Sequence, residues 1–163
     1  MSRILNSLSK AQVAENLKKA VALTKSLTDV EIAELADIAV TEAYREDEVM
    51  LAEDDSGRDV YVVVEGMASV DMKLAVAEDS GAQILKVRKN GVVGEFAFID
   101  GARRSASIRI IAPTTVVRFP FAALNGLCDT NPALGYKLMR NFAVLLAQRI
   151  RNTNMELRAH LHL

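Results

Sequence analysis

Residues 93–108 read VGEFAFIDGARRSASI, and this stretch carries the clearest chemical pattern in the chain. Two glycines bracket a segment long enough for about one and a half turns of helix, and two arginines then open a β-rich run. The bare amides at the start of such a helix attract an anion, which the helix dipole stabilises by about 0.3–1 kcal/mol. Arg104 would add a charge-assisted contact and Ser105 a hydroxyl. The stretch therefore predicts an anion-binding turn.

Glu95 stands at the start of this predicted anion site, although a carboxylate repels a phosphate. A carboxylate is expected there only where the ligand also presents hydroxyl donors, as a ribose does. Taken alone, Arg104 is also typical of a solvated surface charge, and Glu95 of a helix cap. Taken together, the two residues favour a ligand that combines a sugar hydroxyl with a phosphate.

The residues around that turn, 40–119, are rich in short β-forming runs. Turn residues separate most of these runs, and no long helical pattern interrupts them. The predicted strands are residues 41–45, 49–52, 60–64, 68–77, 83–88, 105–112 and 114–119. A series of short strands at this density is typical of a compact antiparallel barrel or roll. We therefore predict an α+β fold built on an antiparallel β-roll or jelly-roll barrel of about eight strands, flanked by N-terminal helices and a long C-terminal helix.

The N-terminal part, residues 1–39, has a helical pattern. A loose apolar stripe predicts one helix over residues 10–25. A second helix is predicted over residues 29–39, because Thr28 and Glu31 have the spacing of a capping box.

The C-terminal part, residues 120–163, predicts a short helix over 121–127 and a longer one over 132–161. A mainly apolar stripe with a spacing of three or four residues follows the longer helix. Its members are Met139, Phe142, Leu146, Ile150, Thr153 and Leu157. Such a stripe needs a partner surface, either in the same chain or in a second copy. We expect a single domain over residues 1–163 that forms a homodimer through residues 132–161.

Composition and charge exclude several classes of function. The chain has 163 residues, 20 basic and 21 acidic side chains, and a formal net charge of −1, which does not favour a dedicated nucleic-acid binder. Both histidines, His160 and His162, are near the C-terminus, and Cys128 is the only cysteine. These counts argue against a metal site, a histidine-based catalytic triad and a disulfide. No run approaches the ~20 apolar residues of a membrane span, and we expect a cytoplasmic protein without membrane contact.

Residues 94–108 resemble the phosphate-binding cassette of the cyclic nucleotide-binding domain family, and we call them the cassette. The shared pattern is Gly-Glu-φ-Ala-φ, where φ is an apolar residue, then a spacer and Arg-Ser-Ala. Residues 53–66, EDDSGRDVYVVVEG, resemble the early strands of the family. The resemblance extends over about residues 28–155 and is most specific in the cassette.

The chain departs from the family pattern at three places. Asp54 stands where the family usually has glycine, and Asn90-Gly91 replaces the usual glycine and acidic residue before the cassette. Because Asp and Asn tolerate the left-handed backbone region, we expect both turns to persist. Arg103 replaces a residue that is often proline, which adds a charge near the pocket mouth.

The resemblance implies a set of ligand contacts. The set is Gly94, Glu95, Phe96, Ala97, Arg104, Ser105, Ala106, Arg149, Thr153 and Asn154. Glu95 would bind the ribose 2′-hydroxyl, while Arg104, Ser105 and two cassette amides would hold the cyclic phosphate. Arg149 would lie near Glu95, and the last two members of the set would contact the base.

The function that the resemblance implies is a non-enzymatic sensor of a cyclic nucleotide. Cyclic AMP is the first candidate ligand and cyclic GMP the second, with no cofactor or metal, and ligand capture would reposition the C-terminal helices. One alternative is a dimeric interaction module that is indifferent to cyclic nucleotides. Another is the ligand-binding fragment of a longer transcription factor. The chain reaches Leu163 without a further helical pair, so we do not expect this chain alone to bind DNA specifically. The sequence does not identify a downstream protein partner.

Overall fold

A computed structural model describes residues 8–73 and 81–161 of the chain. Within these residues, six strands form one antiparallel sheet, with helices before and after it. The strands are β1 (Val40–Tyr44), β2 (Val49–Leu51), β3 (Val60–Lys73), β4 (Gly81–Arg88), β5 (Val92–Val93) and β6 (Ser107–Phe119). The helices are α1 (Lys10–Lys19), α2 (Val21–Thr24), α3 (Asp29–Ile38), α4 (Glu95–Asp100), α5 (Phe121–Thr130) and α6 (Pro132–Leu161). The predicted α+β class is confirmed.

Strands β3 and β6 form the centre of the sheet. The strand order is β1-β6-β3-β4, with β2 also paired to β6 and β5 also paired to β3. In the longest pairing, Val60 lies opposite Phe119 and Asp71 lies opposite Ser107. The short strand β5 precedes α4 directly, so the sheet holds the start of the cassette.

The described sheet has fewer strands than the eight or so predicted, because two pairs of predicted strands are continuous. The run at 60–64 and the described part of the run at 68–77 lie in one strand, β3. The runs at 105–112 and 114–119 likewise form one strand, β6, which begins at Ser107. Gly66 has a φ of +95° and sits at a register shift, where a β-carbon would collide with the Pro113 carbonyl. The strands therefore bend through a bulge here instead of ending in a turn.

Parts of these predictions lie outside the described residues. They are the end of the predicted 68–77 strand, from residue 74 onward, and residues 1–7 and 162–163 of the predicted single domain.

The N-terminal helices differ from the prediction at one point. The single helix expected over residues 10–25 is two helices, because the backbone at Ala20 leaves the helical region with φ −81° and ψ 62°. The buried Thr24 hydroxyl donates to the Leu17 carbonyl at 2.9 Å, and the Ala20 amide donates to the same carbonyl. The capping box of Thr28 and Glu31 is confirmed at the start of α3.

The helices and the sheet share one apolar core, and a second core lies among the strands. The long helix α6 is confirmed over 132–161, whereas α5 continues three residues past its predicted end at 127. Leu134, Leu138 and Phe142 on α6 are completely buried in the first core. Phe142 was predicted to belong to a stripe facing a partner surface, and that surface is the core of its own chain.

Candidate functional site

A pocket that opens to solvent lies between the cassette, the sheet and α6. Leu51, Val70 and Ile108 supply apolar walls. Eight of the ten residues implied by the resemblance line it, namely Gly94, Glu95, Phe96, Ala97, Arg104, Ser105, Ala106 and Arg149.

Gly94 sets the geometry of the cassette. Its φ is +87°, and a β-carbon there would lie 2.5 Å from the Asp59 carbonyl oxygen and 2.7 Å from Arg104 Nη1. Only glycine tolerates both this backbone conformation and this approach. The chain can therefore turn sharply from β5 into α4, with Ala97 buried and Phe96 45% exposed at the pocket.

Glu95 is completely buried at the first position of α4. Its Oε1 accepts a hydrogen bond from Arg149 Nη1, whereas its Oε2 is buried without a hydrogen-bond partner in the described chain. Burial raises the pKa of Glu95 above its ordinary value, and the positive charge of Arg149 offsets only part of this effect. The carboxylate therefore has one acceptor atom committed to the protein and one available to a donor.

Arg104 is also buried, with 4% of its surface exposed. Its Nη1 donates to the Gly94 carbonyl at 2.9 Å and its Nη2 to the Asp59 carbonyl at 2.8 Å. Its Nε is buried without a hydrogen-bond partner in the described chain. Burial lowers the pKa of Arg104, but an arginine remains charged at neutral pH. A cation held by neutral carbonyls is suited to an anionic ligand.

The two turns in which the chain departs from the family pattern keep the expected left-handed backbone. Asp54 and Asn90 both have a φ of +68°. The backbones of Asp54 and Arg104 are hydrogen bonded at 2.9 Å, and Arg103 donates a side-chain bond to the Asp54 carbonyl at 2.7 Å. Arg103 is exposed and lies outside the pocket lining, whereas Ser105, which is also exposed, lines the pocket.

Arg149 brings α6 to the pocket. Besides its bond to Glu95, its Nη2 donates to the Val92 carbonyl at 2.6 Å. Thr153 and Asn154 lie about one helical turn further along α6, exposed and outside the pocket lining. Within one chain, the structure therefore groups Arg149 with the cassette but leaves these two residues apart from it.

Two residues near the pocket escaped the sequence analysis. Arg58 donates to the carbonyls of Ala97 at 3.1 Å and Phe98 at 3.3 Å, and the Asp59 carbonyl receives the bond from Arg104. Arg58 and Asp59 lie inside the matched segment 53–66. Their hydrogen bonds with the cassette use backbone carbonyls as acceptors, and because every residue has a carbonyl, such bonds produce no recognisable sequence pattern. Only three-dimensional proximity identifies them.

The described residues contain neither a membrane-spanning helix nor a cluster of metal-ligating side chains. No helix there is long and apolar enough to cross a membrane. In the same part of the chain, no group of three or more His, Cys, Asp and Glu side chains could hold a metal ion.

Comparison with known families gives an independent description of the same region. A model of the cyclic nucleotide-binding domain family matches residues 41–131, which is more than half of the chain. The match includes the sheet, most of the pocket lining and the whole of α5.

A curated relative is similar to this chain over 99 residues. The type II regulatory subunit of cAMP-dependent protein kinase from Drosophila melanogaster is 29% identical over 99 residues. Those residues are 61% of this chain and 26% of the fly protein, so the chain spans about a quarter of the length of that relative.

Solved structures share the fold over most of the chain. A cyclic nucleotide-binding domain from Methylobacillus flagellatus has a TM-score of 0.80 and 26% identity, covering 88% of this chain and 81% of that one. The regulatory domain of Toxoplasma gondii PKA, crystallised with cAMP, has a TM-score of 0.70 and 18% identity, with coverages of 88% and 50%. Catabolite activator protein from Thermus thermophilus has a TM-score of 0.72 and 20% identity, with coverages of 85% and 62%.

Proposed function

This chain belongs to the cyclic nucleotide-binding domain family, and we propose that it is a non-enzymatic sensor whose natural ligand is cyclic AMP. Family membership rests on the match over residues 41–131. The pocket supports binding more than catalysis, because its charged groups are held in ion pairs and backbone hydrogen bonds. A cytoplasmic location belongs to the same proposal.

The observation that carries the proposal is a pair of buried polar atoms with no partner in the described chain. They are Oε2 of Glu95 and Nε of Arg104, an acceptor and a cationic donor on two residues of one pocket. Leaving such atoms unpaired costs about 1–3 kcal/mol each, and more for charged groups, so a ligand that completes them binds favourably. A ribose hydroxyl matches the acceptor, and a cyclic phosphate matches the donor.

The remaining contacts follow from this orientation of the ligand. The phosphate would lie at the start of α4, against the amides of Phe96 and Ala97 and the hydroxyl of Ser105. The base would then point toward α6, where Thr153 and Asn154 are the proposed contacts. These two residues would reach the base only if α6 moves or if a second copy supplies them.

The proposed response to the ligand is a repositioning of the C-terminal helices. The Glu95 carboxylate forms an ion pair with Arg149 of α6. A ligand hydroxyl that donates to Glu95 would therefore change the strength of this ion pair. A ligand shifts such an equilibrium only by its difference in affinity for the two arrangements. The Glu95–Arg149 pair is a place where that difference can arise.

The first experiment is a calorimetric titration of the purified protein with cyclic AMP, with cyclic GMP as the parallel titration. We expect binding of cyclic AMP at micromolar concentration or tighter, with weaker binding of cyclic GMP. Arg104→Ala should weaken binding by about 30- to 3,000-fold, since losing one partner of a buried charged contact costs about 2–5 kcal/mol. Arg45→Ala is the matched control, because Arg45 is exposed and outside the pocket.

Two results would overturn the proposal. One is the absence of heat for both nucleotides from folded protein that is free of bound nucleotide. The other is an Arg104→Ala variant that binds within threefold of the wild type. Tighter binding of cyclic GMP would keep the sensor and replace its ligand.

A second candidate function is a dimeric interaction module, and the far half of α6 favours it. Ile150, Met155 and Leu157 are 62%, 60% and 56% exposed, and exposed apolar side chains that form a contiguous patch mark interaction sites. We propose a homodimer through residues 132–161, which is compatible with either function. A dimer that does not respond to cyclic nucleotides would favour the interaction module.

A further inference from the structure

Arg58 and Asp59 are consecutive residues at the entry to β3, and neither lines the pocket. Both nevertheless contact the cassette on one side and the first residue of α5, Phe121, on the other. They lie where a change at the pocket could reach the helices that follow the sheet.

Arg58 holds the far end of α4. Its Nε donates to the Ala97 carbonyl at 3.1 Å, and its Nη2 donates to the Phe98 carbonyl at 3.3 Å. The Ala97 carbonyl also accepts the Gly101 amide at 3.1 Å. Carbonyls in the last turn of a helix have few partners within the helix, and a cation there also complements the helix dipole. Gly101 ends the helix in the left-handed region, with a φ of +71°, directly beside the guanidinium. The side chain thus fixes the helix whose opposite end would bind phosphate.

The same guanidinium lies over the ring of Phe121, with its central carbon 3.9 Å from the ring centroid. Phe98 on α4 packs edge-on against Phe121 at 5.6 Å and against Phe142 on α6 at 5.9 Å. The planar guanidinium can therefore donate in its plane to α4 and stack by its face on α5. A change in the tilt of α4 would disturb both contacts.

Asp59 provides a second connection beside the first. Its carbonyl accepts the bond from Arg104 Nη2 at 2.8 Å, and its carboxylate accepts the Phe121 amide at 2.7 Å and Arg118 Nη1 at 2.9 Å. A ligand that displaces Arg104 would therefore also displace Asp59, which binds the first amide of α5. The pocket and α5 are joined through two adjacent residues.

We propose that Arg58 is a positioning residue that couples the cassette to α5. It fixes α4 in the orientation that presents its first amides to the ligand, and it ties that orientation to Phe121. Asp59 carries the parallel link from Arg104. The ligand part of this inference rests on the proposed function, whereas the coupling between α4 and α5 is a property of the free protein.

The test compares Arg58→Met with Arg58→Lys, and with Arg45→Met as the control. Methionine keeps the length and apolar stem of the side chain but removes the donors and the stacking face. We expect Arg58→Met to bind cyclic AMP about 2- to 30-fold more weakly, the range of mutations along a coupling path. Arg58→Lys keeps the charge but not the planar fork, so its affinity should be intermediate.

Amide hydrogen exchange, measured by NMR on the free protein, distinguishes coupling from local stabilisation. If Arg58 stabilised only the end of α4, its loss would change exchange in α4 and not in α5. In Arg58→Met we expect faster exchange in residues 95–101 and also in residues 121–124. Exchange in α3, to which Arg58 and Asp59 form no hydrogen bond in the described residues, should remain at the wild-type rate, and Arg45→Met should match the wild type throughout.

The outcomes separate the inference from the proposed function. Faster exchange in both segments supports the coupling, even if the wild type binds neither cyclic nucleotide and the proposed function fails. Faster exchange in α4 alone, or an even increase along the chain, overturns the coupling. So does a folded Arg58→Met that binds cyclic AMP as tightly as a wild type shown to bind it. If Arg58→Met does not fold, the same criteria apply to Arg58→Lys.

Discussion

The two halves of α6 have similar apolar spacing but different surroundings. In the first half, Leu134, Leu138 and Phe142 are completely buried in the core shared with the N-terminal helices. In the second half, Ile150 and Leu157 are more than half exposed. The first half is held by packing, whereas the second half reaches the pocket through the hydrogen bonds of one side chain, Arg149.

Polar contacts reinforce this difference. Lys137, in the first half, pairs with buried Glu31 at 2.8 Å, and Asn141 donates to the carbonyls of Leu23 and Lys25 at 2.7 and 2.9 Å. The second half, which contacts Glu95 through Arg149, therefore has fewer other contacts with the rest of the chain than the first half has. A ligand with modest differential affinity could move it without disturbing the core.

The largest effect is expected from removing the anchor of the first half. Phe142→Ala should lower the free energy of unfolding by about 3–5 kcal/mol, since it leaves a cavity in the core. Ile150→Ala is the matched change in the second half and should cost less than about 0.5 kcal/mol. Urea denaturation of both variants checks the difference. Equal losses would show that the two halves are anchored alike.

The next effect concerns the carboxylate that the second half contacts. Glu95→Gln keeps the shape but removes the charge, and should weaken cyclic AMP binding by about 10- to 150-fold, the cost of one hydrogen bond to a charged group. Calorimetry measures the change. The control is Glu48→Gln, because Glu48 is exposed in the turn between β1 and β2. An unchanged affinity would remove Glu95 from the binding site.

The same variant has a pH signature with a definite sign. Because burial raises the pKa of Glu95, the folded protein holds this proton more tightly than the unfolded chain does. The contribution of Glu95 to the free energy of unfolding therefore falls as the pH rises. The fall begins near about 4.3, the pKa of glutamate in the unfolded chain, and continues through the raised pKa of the folded protein. Glu95→Gln removes this dependence, so the variant should gain stability relative to the wild type across that window. Denaturation at a series of pH values measures it.

Much of the fold could be predicted because its signals are local. Alternating apolar runs, the Thr28 capping box and the glycine turns of the cassette each depend on residues close in sequence. The predictions that differ from the structure failed because the deciding contacts are between residues distant in sequence. Gly66 forms a bulge because Pro113 and Thr114 lie across the sheet from it, and such a contact is invisible to a local pattern.

The candidate site divides in the same way. Glu95 and Arg104 could be found because the cassette pattern names them by residue type. The carbonyls of Asp59 and Val92, which hold Arg104 and Arg149, could not be found, since every residue has a carbonyl. Arg58 was missed because its hydrogen-bond acceptors are also backbone atoms, so in the sequence it resembles any other surface arginine.

A smaller effect should follow from cutting the link between the second half and the pocket. Arg149→Met should lower the free energy of unfolding by about 1–2 kcal/mol, less than for a fully buried pair because Arg149 is 26% exposed. Amide exchange should accelerate in residues 146–159 and not in residues 134–142. Arg151→Met, at an exposed neighbouring position, is the control. Acceleration along the whole helix would contradict the division of α6 into two halves.

The smallest effect on stability is expected at the end of the second half, where the proposed dimer would form. Leu157 is 56% exposed, so Leu157→Glu should change the free energy of unfolding of a single chain by less than about 0.5 kcal/mol. In a homodimer the same charge would be buried against apolar surface, and the chains should separate. Sedimentation velocity distinguishes the two: the wild type should sediment as a dimer and the variant as a monomer. A monomeric wild type would leave the second half without a partner copy, and Arg149 would then be its main restraint within the described chain.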